Sequence, residues 1–144
     1  MRHHLVFVLL PVTILALVAC PASTRGPKGL SRATYEATVN AVAAIKRTNE
    51  CRDAGVLIFE PRFLEAEKAV DDVRATGNNS PDAIVGIHLH NWVESMKLYR
   101  RILDSYESAL ADPDLKKRVP VWSRMRLETA ANSDKCLASV KSFL

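Results

Sequence analysis

Along most of the chain the apolar residues recur every three or four positions, the spacing of one face of a helix. Ser31 can cap a first helix running to about Asp53, and Gly55 is placed to end it in a left-handed conformation. Pro61 opens a second helix, with Phe63, Ala66, Val70 and Val73 on one side, and Gly77 closes it. Asn78-Asn79-Ser80-Pro81-Asp82 joins a turn to a helix start, where Ser80 can accept from an orphan N–H and Pro81 loses no hydrogen bond. The third helix has the clearest pattern: Val85, Leu89, Trp92, Met96, Tyr99, Leu103, Tyr106 and Leu110 alternate steps of four and three. That is the 3.5 period of a seam packed against neighbouring helices, and its aromatics and Met96 read as core. Asp112-Pro113-Asp114 ends it and leads into a short turn through Lys116-Lys117-Arg118. From about Val121 a last helix runs toward Leu144, with Trp122, Met125, Thr129, Cys136, Val140 and Phe143 on one side and a candidate break at Asn132-Ser133. No stretch alternates at period two. Four helices with short connections predict an all-α fold, either a four-helix bundle or a looser helical array.

The N-terminal pattern is of another kind. Arg2 precedes Leu5 to Ala19, an apolar run free of charge and shorter than the roughly 20 residues a membrane span needs. It reads as the apolar region of a signal peptide. Leu17-Val18-Ala19-Cys20 resembles the lipobox of bacterial lipoproteins, in which a small residue precedes the cut and the following cysteine is lipidated. The resemblance implies that residues 1–19 are removed and that Cys20 carries the lipid. Two or three acyl chains, at about 0.8 kcal/mol per buried CH₂, make such an anchor stable. Pro21 stands where Asp would resemble an inner-membrane retention signal, so the expected location is the outer membrane, facing the periplasm. PASTRGPKG, residues 21–29, has no apolar period and is rich in Pro, Gly and small polar residues, so residues 20–29 form a flexible tether to a helical domain over 30–144.

Removing residues 1–19 from 144 leaves 125 residues, enough for one domain with a modest core. Loss of Arg2 takes the formal charge from +4 to +3, too mild to argue a polyanionic ligand, and a periplasmic location excludes nucleic acid. Catalytic chemistry finds no support: there is no CxxC, GxSxG or glycine-rich phosphate loop, and five glycines leave little room for one. His88 and His90, two apart on a helix, point to nearly opposite sides, and His90 with Glu94 alone makes a weak metal pair. The expectation is a protein without cofactor, metal or enzymatic activity. The run KKRVPVWSRMR, residues 116–126, is the densest basic segment; it reads as a solvated loop with a buried Trp122, with contact to anionic head groups or an acidic partner as the alternative.

With Cys20 lipidated, Cys51 and Cys136 remain, in an oxidising compartment. A bridge between them would close a loop of about 85 residues, worth on the order of 4 kcal/mol in the chain-entropy model. The alternative is two separate thiols.

Behind the lipobox, Val42 to Gly55 (VAAIKRTNECRDAG), Met96 to Ser105 (MKLYRRILDS) and Ser133 to Leu144 (SDKCLASVKSFL) resemble the small helical pilotins of type II secretion systems. That resemblance implies a disulfide between Cys51 and Cys136, tying the first helix to the last. It also implies an adaptor that binds the C-terminal tail of a secretin subunit as a helix in a groove and carries it to the outer membrane. Which residues form the groove does not follow from the resemblance. Two other classes remain open: an envelope lipoprotein with a structural or assembly role in another complex, and a small-molecule or metal binder using the bundle interior.

Overall fold

The structure, a computed structural model, describes residues 25–55, 59–77 and 79–144. The expected signal peptide, Cys20 and the first part of the expected tether lie outside the described residues. The fold is all-α. Among the described residues four helices follow one another: α1 (Arg32–Ala54), α2 (Phe59–Thr76), α3 (Ser80–Ala111) and α4 (Val119–Lys141), with a short 3₁₀ turn at Lys116–Arg118.

The helix ends follow local chemistry. Ser31 caps α1 by accepting from the Thr34 N–H, and Gly55, at φ 63° and ψ 32°, ends it in the left-handed region that only glycine adopts without strain. α2 starts at Phe59 rather than at Pro61; the first-turn N–H groups have no intrahelical acceptor, so Pro61 costs no bond there. α3 is capped by Asn79, whose side chain accepts from the Asp82 N–H at 3.0 Å, so Asn79 and not Ser80 fills the expected role. α4 passes through Asn132-Ser133 without a break, and the Ser133 hydroxyl bonds back to the Ala130 carbonyl at 2.7 Å inside the helix, which spares it from competing with the helix.

Part of the expected tether is folded. The backbone of Arg25 pairs with that of Ser31, Gly26 N–H donates to the Leu30 carbonyl at 2.6 Å, and Lys28 Nζ donates to the Ser142 carbonyl. Leu30 is fully buried beneath this turn. The helical domain thus includes the turn at Pro27–Gly29, closed by these backbone bonds and joined to the end of α4 through Lys28.

The helices pair as two antiparallel hairpins, α1 with α2 and α3 with α4, joined through α2 on α3. Ala41, Ala44 and Ala66 are buried, small enough to let α1 and α2 approach closely. The α1 face also buries Thr34, Thr38 and Thr48, whose hydroxyls are satisfied by backbone carbonyls: Thr38 donates to Thr34 at 2.6 Å, and Thr48 donates to Ala44 at 3.0 Å and to Arg62 at 2.9 Å. Val85, Leu89, Trp92, Met96 and Tyr99 of the α3 seam are buried, with the rings of Phe63 and Trp92 6.1 Å apart. A carboxylate ties the N-terminal ends together: the buried Asp82 accepts from the Ser31 N–H at 3.0 Å, linking the start of α1 to the start of α3.

Candidate functional site

α3 is longer than its cover. It has 32 residues, against 23 in α1 and 18 in α2, and an α-helix rises 1.5 Å per residue. Its apolar seam therefore continues past the ends of α1 and α2: Leu103 and Tyr106 are only half-buried, and Leu110 is 54% exposed. What the sequence lays down as eight unbroken seam positions becomes core at one end and an open floor at the other.

On that floor lies a groove of about 710 Å³. Tyr99, Leu103, Tyr106 and Leu110 line it from α3, Leu127 and Ala130 from α4, and Cys51, Arg52 and Phe59 from the tips of α1 and α2. Phe59 fixes the inner end by packing against Phe63 at 5.9 Å and Tyr99 at 6.2 Å between ring centroids. Burial pushes the Tyr99 phenol above its ordinary range, against the opposing charges of Arg126 and Arg52.

Two ion-pair clusters hold the walls. Arg52, its side chain 3% exposed, spans from α1 to α4: it donates to Ser133 Oγ at 2.7 Å and to both Asp134 oxygens at 3.1 and 3.3 Å, while Nε reaches Asp53 at 2.7 Å. Asn49 adds a bond to Asp134 at 3.2 Å. Burial alone would lower the Arg52 pKa; the two carboxylates outweigh it and hold the group raised, so the guanidinium stays charged. On the other wall Arg100 pairs with Glu60, joining α3 to the start of α2. Arg126 lies over the Tyr106 ring, 4.7 Å from its centroid, a cation–π contact of about 0.5–1 kcal/mol.

The three stretches quoted above meet around this groove. The end of Val42–Gly55 and the middle of Met96–Ser105 line it, and Ser133-Asp134 hold Arg52 behind it. Cys51 and Cys136 are not bonded to each other in the structure. Both are free thiols, each partly buried. Cys51 shares the groove with Leu127 and Ala130, and its neighbours Asn49 and Arg52 bind the α4 turn from Ala130 to Asp134. Cys136 is packed against the core. Burial pushes its thiol above the ordinary value.

The other candidates sit elsewhere. His88 is half-buried and His90 exposed, and Glu94 pairs with Lys97 at 3.3 Å. Among the described residues no three His, Cys, Asp or Glu side chains gather as a metal site, and no helix is long and apolar enough to cross a membrane. Lys116, Lys117 and Arg118 are exposed at the α3–α4 turn, with Trp122 half-buried below them. This turn and the groove lie at the pole opposite Arg25, since α1 runs from Ser31, beside Asp82, to Gly55 in the groove wall. Sequence reasoning missed Arg52, Asp134 and Arg126. A charged residue in a helix reads as surface, and Arg126 was absorbed into the basic run; no local signal marks either arginine as lining a groove. Comparison of the chain with protein-family models, with curated proteins and with solved structures finds no match.

Proposed function

We propose that the chain is an outer-membrane lipoprotein of the periplasm that acts as a pilotin-like adaptor, binding the C-terminal tail of a secretin as a helix in the α3 groove. The observation that carries this reading is the apolar seam of α3 running out from under its cover. Leu103, Tyr106 and Leu110 keep the three-and-four spacing with which helices pack, but they are only half-buried or exposed along the groove. A guest helix with apolar residues at matching intervals would complete that packing. Anchoring through Cys20 is supported by LVAC, and it suits the architecture. The chain enters the bundle at one pole and the groove opens at the other, about 35 Å away by the rise of α1, so a lipid at the first leaves the second accessible.

A tail that folds on binding loses about 2–5 kcal/mol in ordering, so capture should depend on a few buried anchors. The test is crosslinking in intact cells with identification of the captured protein, followed by binding of the full chain in lipid nanodiscs to secretin tail peptides. The expected result is a secretin crosslink, a gain of peptide helix by circular dichroism, and at least a tenfold loss of affinity in Leu103→Asp and Leu110→Asp. A crosslink to a different envelope protein, with no binding of secretin tails, would put the structural or assembly role first.

A further inference from the structure

Three arginines line the groove, and two of them are neutralised. Arg52 has Asp53 at 2.7 Å and Asp134 at 3.1 Å; Arg100 has Glu60, with Asp104 at 3.8 Å. Arg126 has no carboxylate within ion-pair distance among the described residues, and these include every Asp and Glu of the chain. Its only partner there is the face of Tyr106, at 4.7 Å. Contact with the ring face uses none of the guanidinium N–H donors, the group that matches a carboxylate in two parallel bonds. Arg126 is also half-buried, so its charge is less well hydrated than that of an arginine standing free in solvent. The exposed Glu107 on the same rim makes no ion pair with it.

We propose that the helix occupying the groove carries a carboxylate at the edge of its apolar face, level with Tyr106, and that this carboxylate pairs with Arg126. The inference rests on the groove being a helix-docking site and adds the chemistry of the guest. Tyr106 lies between Leu103 and Leu110 on the floor, so the acid sits between the apolar anchors that cover those two leucines, within one helical turn of each. An apolar guest without the acid would fill the floor and leave the Arg126 donors facing a newly dried surface without a partner, which is unfavourable. A guest with a base there would meet like charge. The pairing thus selects among amphipathic helices that would otherwise fit equally well.

The experiment uses the full chain in nanodiscs and three fluorescent 18-residue peptides. These carry leucines at helical spacing and differ at one flanking position, which is Glu, Gln or Lys. The Glu peptide is expected to bind about tenfold tighter than the Gln peptide and tighter still than the Lys peptide, with the difference shrinking at high salt. In Arg126→Gln the Glu and Gln peptides should bind alike, and in Arg126→Glu the order should reverse, with circular dichroism confirming that both variants keep their helix content. Equal binding of all three peptides to the unaltered protein, or a Glu preference that survives Arg126→Gln, overturns the pairing while leaving the groove reading in place. If no peptide binds, the groove reading falls with it; sodium laurate binding in their stead would identify the groove as a lipid site.

Discussion

At the level of single residues, Arg52 ties α1 of one hairpin to α4 of the other. Its guanidinium is buried, whereas its acidic partners Asp53 and Asp134 are 65% and 54% exposed. Removing one carboxylate therefore leaves a buried cation underpaired, while removing the arginine lets both acids return to water. Asp134→Ala is expected to cost about 1–2 kcal/mol, the upper range for a buried pair being discounted for the exposure of the acid. In an Arg52→Met background the same change should cost clearly less, leaving only the loss of the Asn49 bond. Urea denaturation of the four members of this cycle checks the coupling. None of this was legible in the sequence, because Arg52 and Asp134 are 82 positions apart and each looks like a solvated helix residue. The buried threonines of α1 were hidden for a related reason. Their hydroxyls are satisfied within the helix or by α2, so polar residues serve where apolar ones would be expected.

At the level of helices, side chains near the end of α1 hold one turn of α4. Asn49 and Arg52 lock onto the turn from Ala130 to Asp134, two residues before Cys136. Thiol titration of the air-purified chain after unfolding checks the pairing: both Cys51 and Cys136 are expected free, and their absence from the titration would show the disulfide that the resemblance implies. Cys136 also predicts a pH effect. Its folded pKa is raised by burial, so between its ordinary value and the raised one the unfolded chain releases a proton that the folded chain retains. The contribution is present at neutral pH and is lost as pH climbs above about 9. The denaturation midpoint should fall in that range less steeply in Cys136→Ala than in the unaltered protein. The helix boundaries were largely readable beforehand, since Ser31, Gly55 and Asn79-Ser80-Pro81 act through bonds to their own neighbours.

For the whole molecule, the two poles are different. The N-terminal pole is closed by the turn at Pro27–Gly29, by Asp82 on Ser31 and by Lys28 on Ser142, whereas the far pole is open along α3. A lipid on Cys20 would place the closed pole toward the membrane and the open pole toward the periplasm. Cys20→Ala is accordingly expected to release the protein from membranes or leave it unprocessed, as read by fractionation and electrophoretic mobility, and to leave peptide binding by the groove unchanged. Unaltered fractionation and mobility would remove the anchor from the account.

The all-α class, the succession of four helices and the α3 seam follow from the sequence alone, because periodicity and capping are short-range properties carried by residues three or four apart. The seam positions were all assigned to one helix face, and Val85 to Tyr99 are buried as that pattern requires. Where the seam stops being core and becomes a groove was decided only in three dimensions. It depends on how far α1 and α2 extend alongside α3, and no local pattern in α3 records the reach of its neighbours. The same holds for Arg126, whose lack of an acidic partner becomes visible only once every carboxylate of the chain has its place.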